Sequence, residues 1–142
     1  KPIPWKDGPN PLAIPDALDC SVSVSPLCSV KLTGNSYNFV HAVAQALPRV
    51  GLIGDKYLFR LSSKARGIPA GGQYKVEVLL MNMYNVVVGS ETLHFTTGTH
   101  EFETVTGTIR ARAQYTWVVF RFTLQKTGGT AWFDNAQLIV IP

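Results

Sequence analysis

The chain has 142 residues, of which 46% are hydrophobic and 15% charged, and its formal net charge is +4. That length can enclose a proper core, and that composition excludes a disordered chain. No apolar run is long enough to span a bilayer, so no membrane insertion is expected, and the modest, scattered positive surplus means solubility, or at most a preference for anionic surfaces or glycans.

Val, Thr, Tyr, Phe and Gly are abundant, which favours an all-β chain. One domain over residues 1–142 is expected, with a proline-rich arm at 1–19. That arm carries Pro2, Pro4, Pro9, Pro11 and Pro15. Proline fixes φ and lacks the amide donor, so the arm reads as extended and loop-like. Trp5 would pin it to the domain. Lys1 reads as the start of a mature chain or of a clipped fragment, without a signal peptide. Cys20 and Cys28 are close enough in sequence to bridge a hairpin or loop. Closing so short a loop would contribute about 2–3 kcal/mol, and it would imply an oxidising compartment. Two free, half-buried thiols are the other reading.

Residues 20–33 alternate weakly and suggest a short hairpin or strand pair ended by Gly34-Asn35. Residues 37–47 are ambiguous. Ala42, Ala44 and Ala46 favour helix by propensity, whereas their spacing fits a strand equally well. Pro48 is expected to end either one. From Tyr57 to Ala65, one face carries Tyr57, Phe59, Leu61, Ser63 and Ala65, and the other Leu58, Arg60, Ser62 and Lys64. A loop is expected at 66–72. Residues 73–81 repeat the alternation, with Tyr74, Val76, Val78 and Leu80 facing one way. A loop around Asn82–Asn85 precedes a short run at 86–88. Residues 91–96 and 101–112 give two further strands, broken at Thr97-Gly98-Thr99. In 115–125, the buried face is Thr116, Val118, Phe120, Phe122 and Leu124, which leaves Tyr115, Trp117, Val119, Arg121, Thr123 and Gln125 outside. The last strand follows Gly128-Gly129, and Asp134-Asn135 interrupts it. A carboxylate there needs a partner, because burying it unpaired is costly. Many short strands between glycine turns mean an all-β jelly roll or β-sandwich of two antiparallel sheets.

Three stretches in this order resemble carbohydrate-binding modules of the family 4/9/22 type. They are Gly54-Asp55-Lys56-Tyr57-Leu58-Phe59, Ala65-Arg66-Gly67-Ile68-Pro69-Ala70-Gly71-Gly72, and Gly128-Gly129-Thr130-Ala131-Trp132-Phe133-Asp134-Asn135-Ala136-Gln137-Leu138. Cys28-Ser29-Val30-Lys31-Leu32-Thr33-Gly34 is similar to the strand before the turn in that family. The resemblance spans about residues 20–140 and implies a galactose-binding-like jelly roll. It is more specific for fold than for function, since this fold hosts many functions. Family members usually begin with an Asn-Pro-x-Phe-Glu strand. Trp5 fits the Trp that follows it, and nothing precedes. The resemblance further implies a structural calcium at Asp134. Calcium takes several oxygen ligands, and carbonyls near Asp7 or Asp16 would have to replace the missing Glu of the first strand. A metal-free Asp134, hydrogen-bonded to backbone, is the other reading. Where many relatives carry an outer-face aromatic, this chain has Ser62.

Sugars present apolar C–H faces ringed by hydroxyls, so they need flat aromatics and forked polar groups. The candidate ligand-binding set is Trp117, Arg121, Arg60, Glu77, Lys64 and Trp132, with Gln125 beside them, on the non-core face of one sheet. The bland reading is two capped tryptophans and an ordinary solvated face. Tyr37, Tyr84 and Tyr115 read as structural loop-region residues. His41, His94 and His100 lack paired zinc spacing, and no nucleophile elbow or phosphate loop occurs, so no catalysis is expected. Arg49, Lys56, Lys64, Arg110 and Arg112 are dispersed, without an RNA-binding signature, so no nucleic-acid partner is expected. The sequence therefore suggests a non-catalytic module of a secreted or cell-surface protein, with a polysaccharide or glycan as partner. The alternative is a structural subunit of a surface layer or filament whose copies complete one another by strand exchange. It rests on the absent first strand, the arm and the apolar tail Leu138–Pro142.

Overall fold

The computed structural model describes residues 6–7, 17–19, 29–34, 40–125 and 128–142. Among them the strands are β1 (Lys6–Asp7), β2 (Ala17–Asp19), β3 (Ser29–Thr33), β4 (Val40–Gly51), β5 (Lys56–Ile68), β6 (Gln73–Met81), β7 (Val87–His94), β8 (Gly98–Arg110), β9 (Tyr115–Gln125) and β10 (Thr130–Ile141). They form two antiparallel sheets, ordered β1-β4-β9-β6-β7 and β2-β3-β10-β5-β8. This is the expected jelly-roll β-sandwich. Among the described residues no helix is long and apolar enough to cross a membrane.

Alternation decides which side chains meet between the sheets. Tyr74, Val76, Val78 and Leu80 of β6 and Val118, Phe120, Phe122 and Leu124 of β9 are buried. They face Tyr57, Phe59 and Leu61 of β5 and Phe133 of β10 in one core. Phe133 sits at its aromatic centre, 4.6 Å from the Phe122 ring and 5.8 Å from that of Phe95. Ser63 can occupy this inner face because its hydroxyl hydrogen-bonds with that of Tyr74 at 2.5 Å.

Several boundaries differ from the sequence reading. Residues 40–51 are one strand, so the alanines alternate across a sheet instead of lining a helix. Pro48 does not end it: β1 pairs with β4 only at Val43 and Ala44, so at Pro48 β4 is an edge among the described residues, where proline is tolerated. The register then shifts between Pro48 and Gly51. β5 continues to Ile68 instead of ending at Ala65, and β8 begins at Gly98 instead of breaking there. Residues 87–94 form one strand, not two. The proline-rich arm is not all loop, since its residues 6–7 and 17–19 pair with β4 and β3. Thr116 is only half-buried. Tyr115, expected outside, is fully buried, because the β4 irregularity lets it turn inward under Gly51. The interruption at Asp134 is real: the β10–β5 register shifts between Asp134 and Gln137. Cys20 and Cys28, with the expected disulfide, lie outside the described residues, as do Trp5 and Tyr37.

Candidate functional site

The outer face of the β1-β4-β9-β6-β7 sheet is built in rows by strand register. Ala44, Arg121, Glu77 and Thr92 lie across from one another, as do Ala46, Val119, Leu79 and Ser90. Pro48, Trp117, Met81 and Val87 form the next row. β4 presents alanine where β9 presents large side chains, so the face dips beside Trp117. Ala46, Met81, Asn85, Trp117 and Val119 line this open depression. Trp117 is 37% exposed. Further along the same face, Ala42 and Thr123 are buried, so the accessible part lies toward Trp117.

A charged fork adjoins this depression. Arg121 Nη2 donates to both Glu77 carboxylate oxygens at 2.9 Å, and its Nε donates to Oε1 at 3.3 Å. Lys75 Nζ lies 3.8 Å from the same carboxylate. The pair is partly exposed, so its worth lies more in fixed geometry than in stability. The β6–β7 loop closes the depression at one end. Asn82 Oδ1 accepts from the Tyr84 amide at 2.9 Å and the Val86 amide at 3.0 Å, which fixes the loop's shape. Asn85 takes φ 60°, a left-handed conformation that asparagine tolerates. Tyr84, read from sequence as structural, stands exposed on this loop.

The six candidates divide between two opposite faces. Trp117, Arg121 and Glu77 come together as described. Arg60, Lys64 and Trp132 belong to β5 and β10 of the other sheet, and side chains on the outer faces of two packed sheets cannot share a site. Trp132 is not an open platform. It is only 5% exposed, with Lys64 Nζ 5.7 Å and Arg66 Cζ 5.6 Å from its ring centroid. Arg60 is exposed and lies across from Gln137 and Thr106. Ser62 is buried on that face, its hydroxyl 2.9 Å from that of Thr104. The sequence reading missed Ala46, Met81 and Asn85. The alternating alanines at 42, 44 and 46 were the available signal, and they were ambiguous until the strand was known.

Asp134 is 4% exposed and lies across from Ser62. Among the described residues no three His, Cys, Asp or Glu side chains gather to hold a metal ion. Calcium takes six to eight oxygens.

No protein-family model matches the sequence, and neither does any curated protein. Solved structures do match the fold. A family 16 carbohydrate-binding module superposes with a TM-score of 0.60 at 17% identity, over 88% of this chain and 85% of that one. The chain has the jelly-roll fold of carbohydrate-binding modules. The CBM22-1 xylan-binding domain of Paenibacillus barcinonensis Xyn10C gives the same TM-score, 0.60, at 10% identity, over 96% of this chain and 85% of its own. The enzymatically active domain of tailspike protein 4 of bacteriophage CBA120 matches with a TM-score of 0.69 at 11% identity. There the jelly-roll chain covers 89% of its own length but only 17% of the tailspike chain.

Proposed function

We propose that this chain is a non-catalytic carbohydrate-binding module of an extracellular protein, holding a poly- or oligosaccharide on the outer face of β4, β9 and β6. The observation that carries this reading is an exposed Trp117 beside a depression, on the same face as the prepaired Arg121–Glu77 fork and two rows along β9 from it. Trp117 stacks against a sugar C–H face, and the floor of Ala46 and Val119 lets the ring approach. Arg121 and Glu77 bond to hydroxyls, and little side-chain freedom is lost because they already hold one another. Glu77 on this face is engaged by both Arg121 and Lys75, which suits a fixed hydrogen-bonding group.

The test is a glycan array followed by titration calorimetry with the best polysaccharide. Trp117→Ala is expected to weaken binding at least about tenfold without lowering the melting temperature. A blank array for the unaltered protein, or equal affinity in the variant, overturns the reading.

A further inference from the structure

Among the large apolar side chains left exposed in the described residues, Leu52, Ile53, Met83, Tyr84 and Val86 lie on loops at one end of the sandwich. Three loops meet there: 52–55 between β4 and β5, 82–86 between β6 and β7, and 111–114 between β8 and β9. Backbone hydrogen bonds tie them into one surface. Gly54 N donates to Ala111 O at 2.8 Å, and Arg112 N to Val88 O at 2.7 Å. Leu52 and Ile53 project from the first loop, and Met83, Tyr84 and Val86 from the second. Ile53 is 71% exposed and Tyr84 78%, so these side chains touch little of their own protein. The opposite end of the sandwich carries no such residue among those described.

The same end is basic. Arg49, Lys56, Arg110 and Arg112 are all exposed around the apolar tips. The acid among them, Asp55, points inward, its carboxylate occupied by the Leu52 amide and the Tyr115 hydroxyl. An exposed apolar patch marks a contact surface. Two protruding tips flanked by cations fit a soft apolar medium with a negatively charged boundary better than a rigid protein surface. We propose that this end docks on an anionic lipid surface, with Leu52, Ile53, Met83 and Tyr84 entering the headgroup boundary while Arg112, Arg110 and Lys56 meet phosphates. This is peripheral docking by loop tips, not a membrane span. The β6–β7 loop also borders the Trp117 depression, so the loop at 52–55 and Arg112, which do not line it, are the places where docking can be altered apart from sugar binding.

Co-sedimentation with vesicles tests it, using phosphatidylcholine alone and phosphatidylcholine mixed with phosphatidylserine. The unaltered protein is expected to sediment with the mixed vesicles, much less with phosphatidylcholine alone, and progressively less as salt is added. The pair Leu52→Ser and Ile53→Ser should lower the partition at least about tenfold. Arg112→Ala should lower it about fivefold, which corresponds to about 1 kcal/mol per cation near a charged surface. Both variants should keep the melting temperature and the glycan affinity, so failure here is separable from failure of the sugar reading. Absence of sedimentation with mixed vesicles, equal binding to neutral ones, or variants that sediment like the parent would each sink the proposal. So would a dimer, seen by light scattering, that the Leu52 and Ile53 changes turn into a monomer, because a second copy would then be the occupant.

Discussion

Asp55 joins a chain of hydrogen bonds. Arg49 Nε donates to the Tyr57 hydroxyl at 3.1 Å, the Tyr57 and Tyr115 hydroxyls are hydrogen-bonded to each other, and Tyr115 donates to Asp55 Oδ2 at 2.8 Å. The Leu52 amide also donates to Oδ2, at 2.9 Å, and this bond followed by that from Tyr115 holds the Asp55 carboxyl below its ordinary range. Burial, with the Tyr57 and Asp55 hydrogen bonds, pushes the Tyr115 hydroxyl up, so it stays a donor at any ordinary pH. A lowered carboxylate pKa gives stability that is present above the unfolded pKa, about 3.9, and is lost as pH falls through the folded value. Asp55→Asn should therefore melt lower than the parent at pH 7. The gap should close as pH drops below the ordinary carboxylate range, where the parent's Asp55 is itself protonated. A gap of constant size in calorimetric scans across pH would contradict this account.

At the scale of elements, the joint of β3, β5 and β10 depends on glycines. Gly129 has φ 84°, and a Cβ there would lie 2.6 Å from Gly67 O. Gly34 N donates to Gly129 O at 2.8 Å, and Gly67 N donates to Thr99 Oγ1 at 2.9 Å. Three strand ends are thus drawn together where no side chain fits. Gly129→Ala combines a left-handed backbone with a clash against another backbone, so nothing flexible can yield. It should cost about 1–3 kcal/mol, measured by urea unfolding, whereas a neutral result would mean that the joint opens freely. The same glycines carried the resemblance to the binding modules, and here they have a physical reason: close approach of backbones at the entry to β10.

Across the whole molecule, sheet order sets both folding and the placement of sites. β10, last in the chain, lies between β3 and β5, and β9 lies between β4 and β6. Neither sheet can be completed until distant segments have met, and closing such loops costs entropy before contacts repay it. Refolding from denaturant should accordingly take milliseconds to seconds, followed by stopped-flow tryptophan fluorescence; a microsecond phase carrying the full amplitude would be inconsistent with this topology. Sheet order also explains why the six candidate residues parted. Period-two alternation identifies the outward residues of β5, β9 and β10, but it carries no information about which sheet a strand joins.

The sequence alone determined what depends on near neighbours along the chain: the all-β class, the two faces of β5 and β6, the inward Val118, Phe120, Phe122 and Leu124 of β9, and the glycines that precede β10. These follow from local sterics and from alternation, which act over a few residues. Tertiary structure decided the rest. It made Ala42, Ala44 and Ala46 the floor of a sheet face, put Trp132 under two cations and Trp117 in the open, turned Tyr115 inward, and gathered Ile53 and Tyr84 at one end. Each of these depends on which distant strand lies alongside, and burial and proximity are properties of the packed chain.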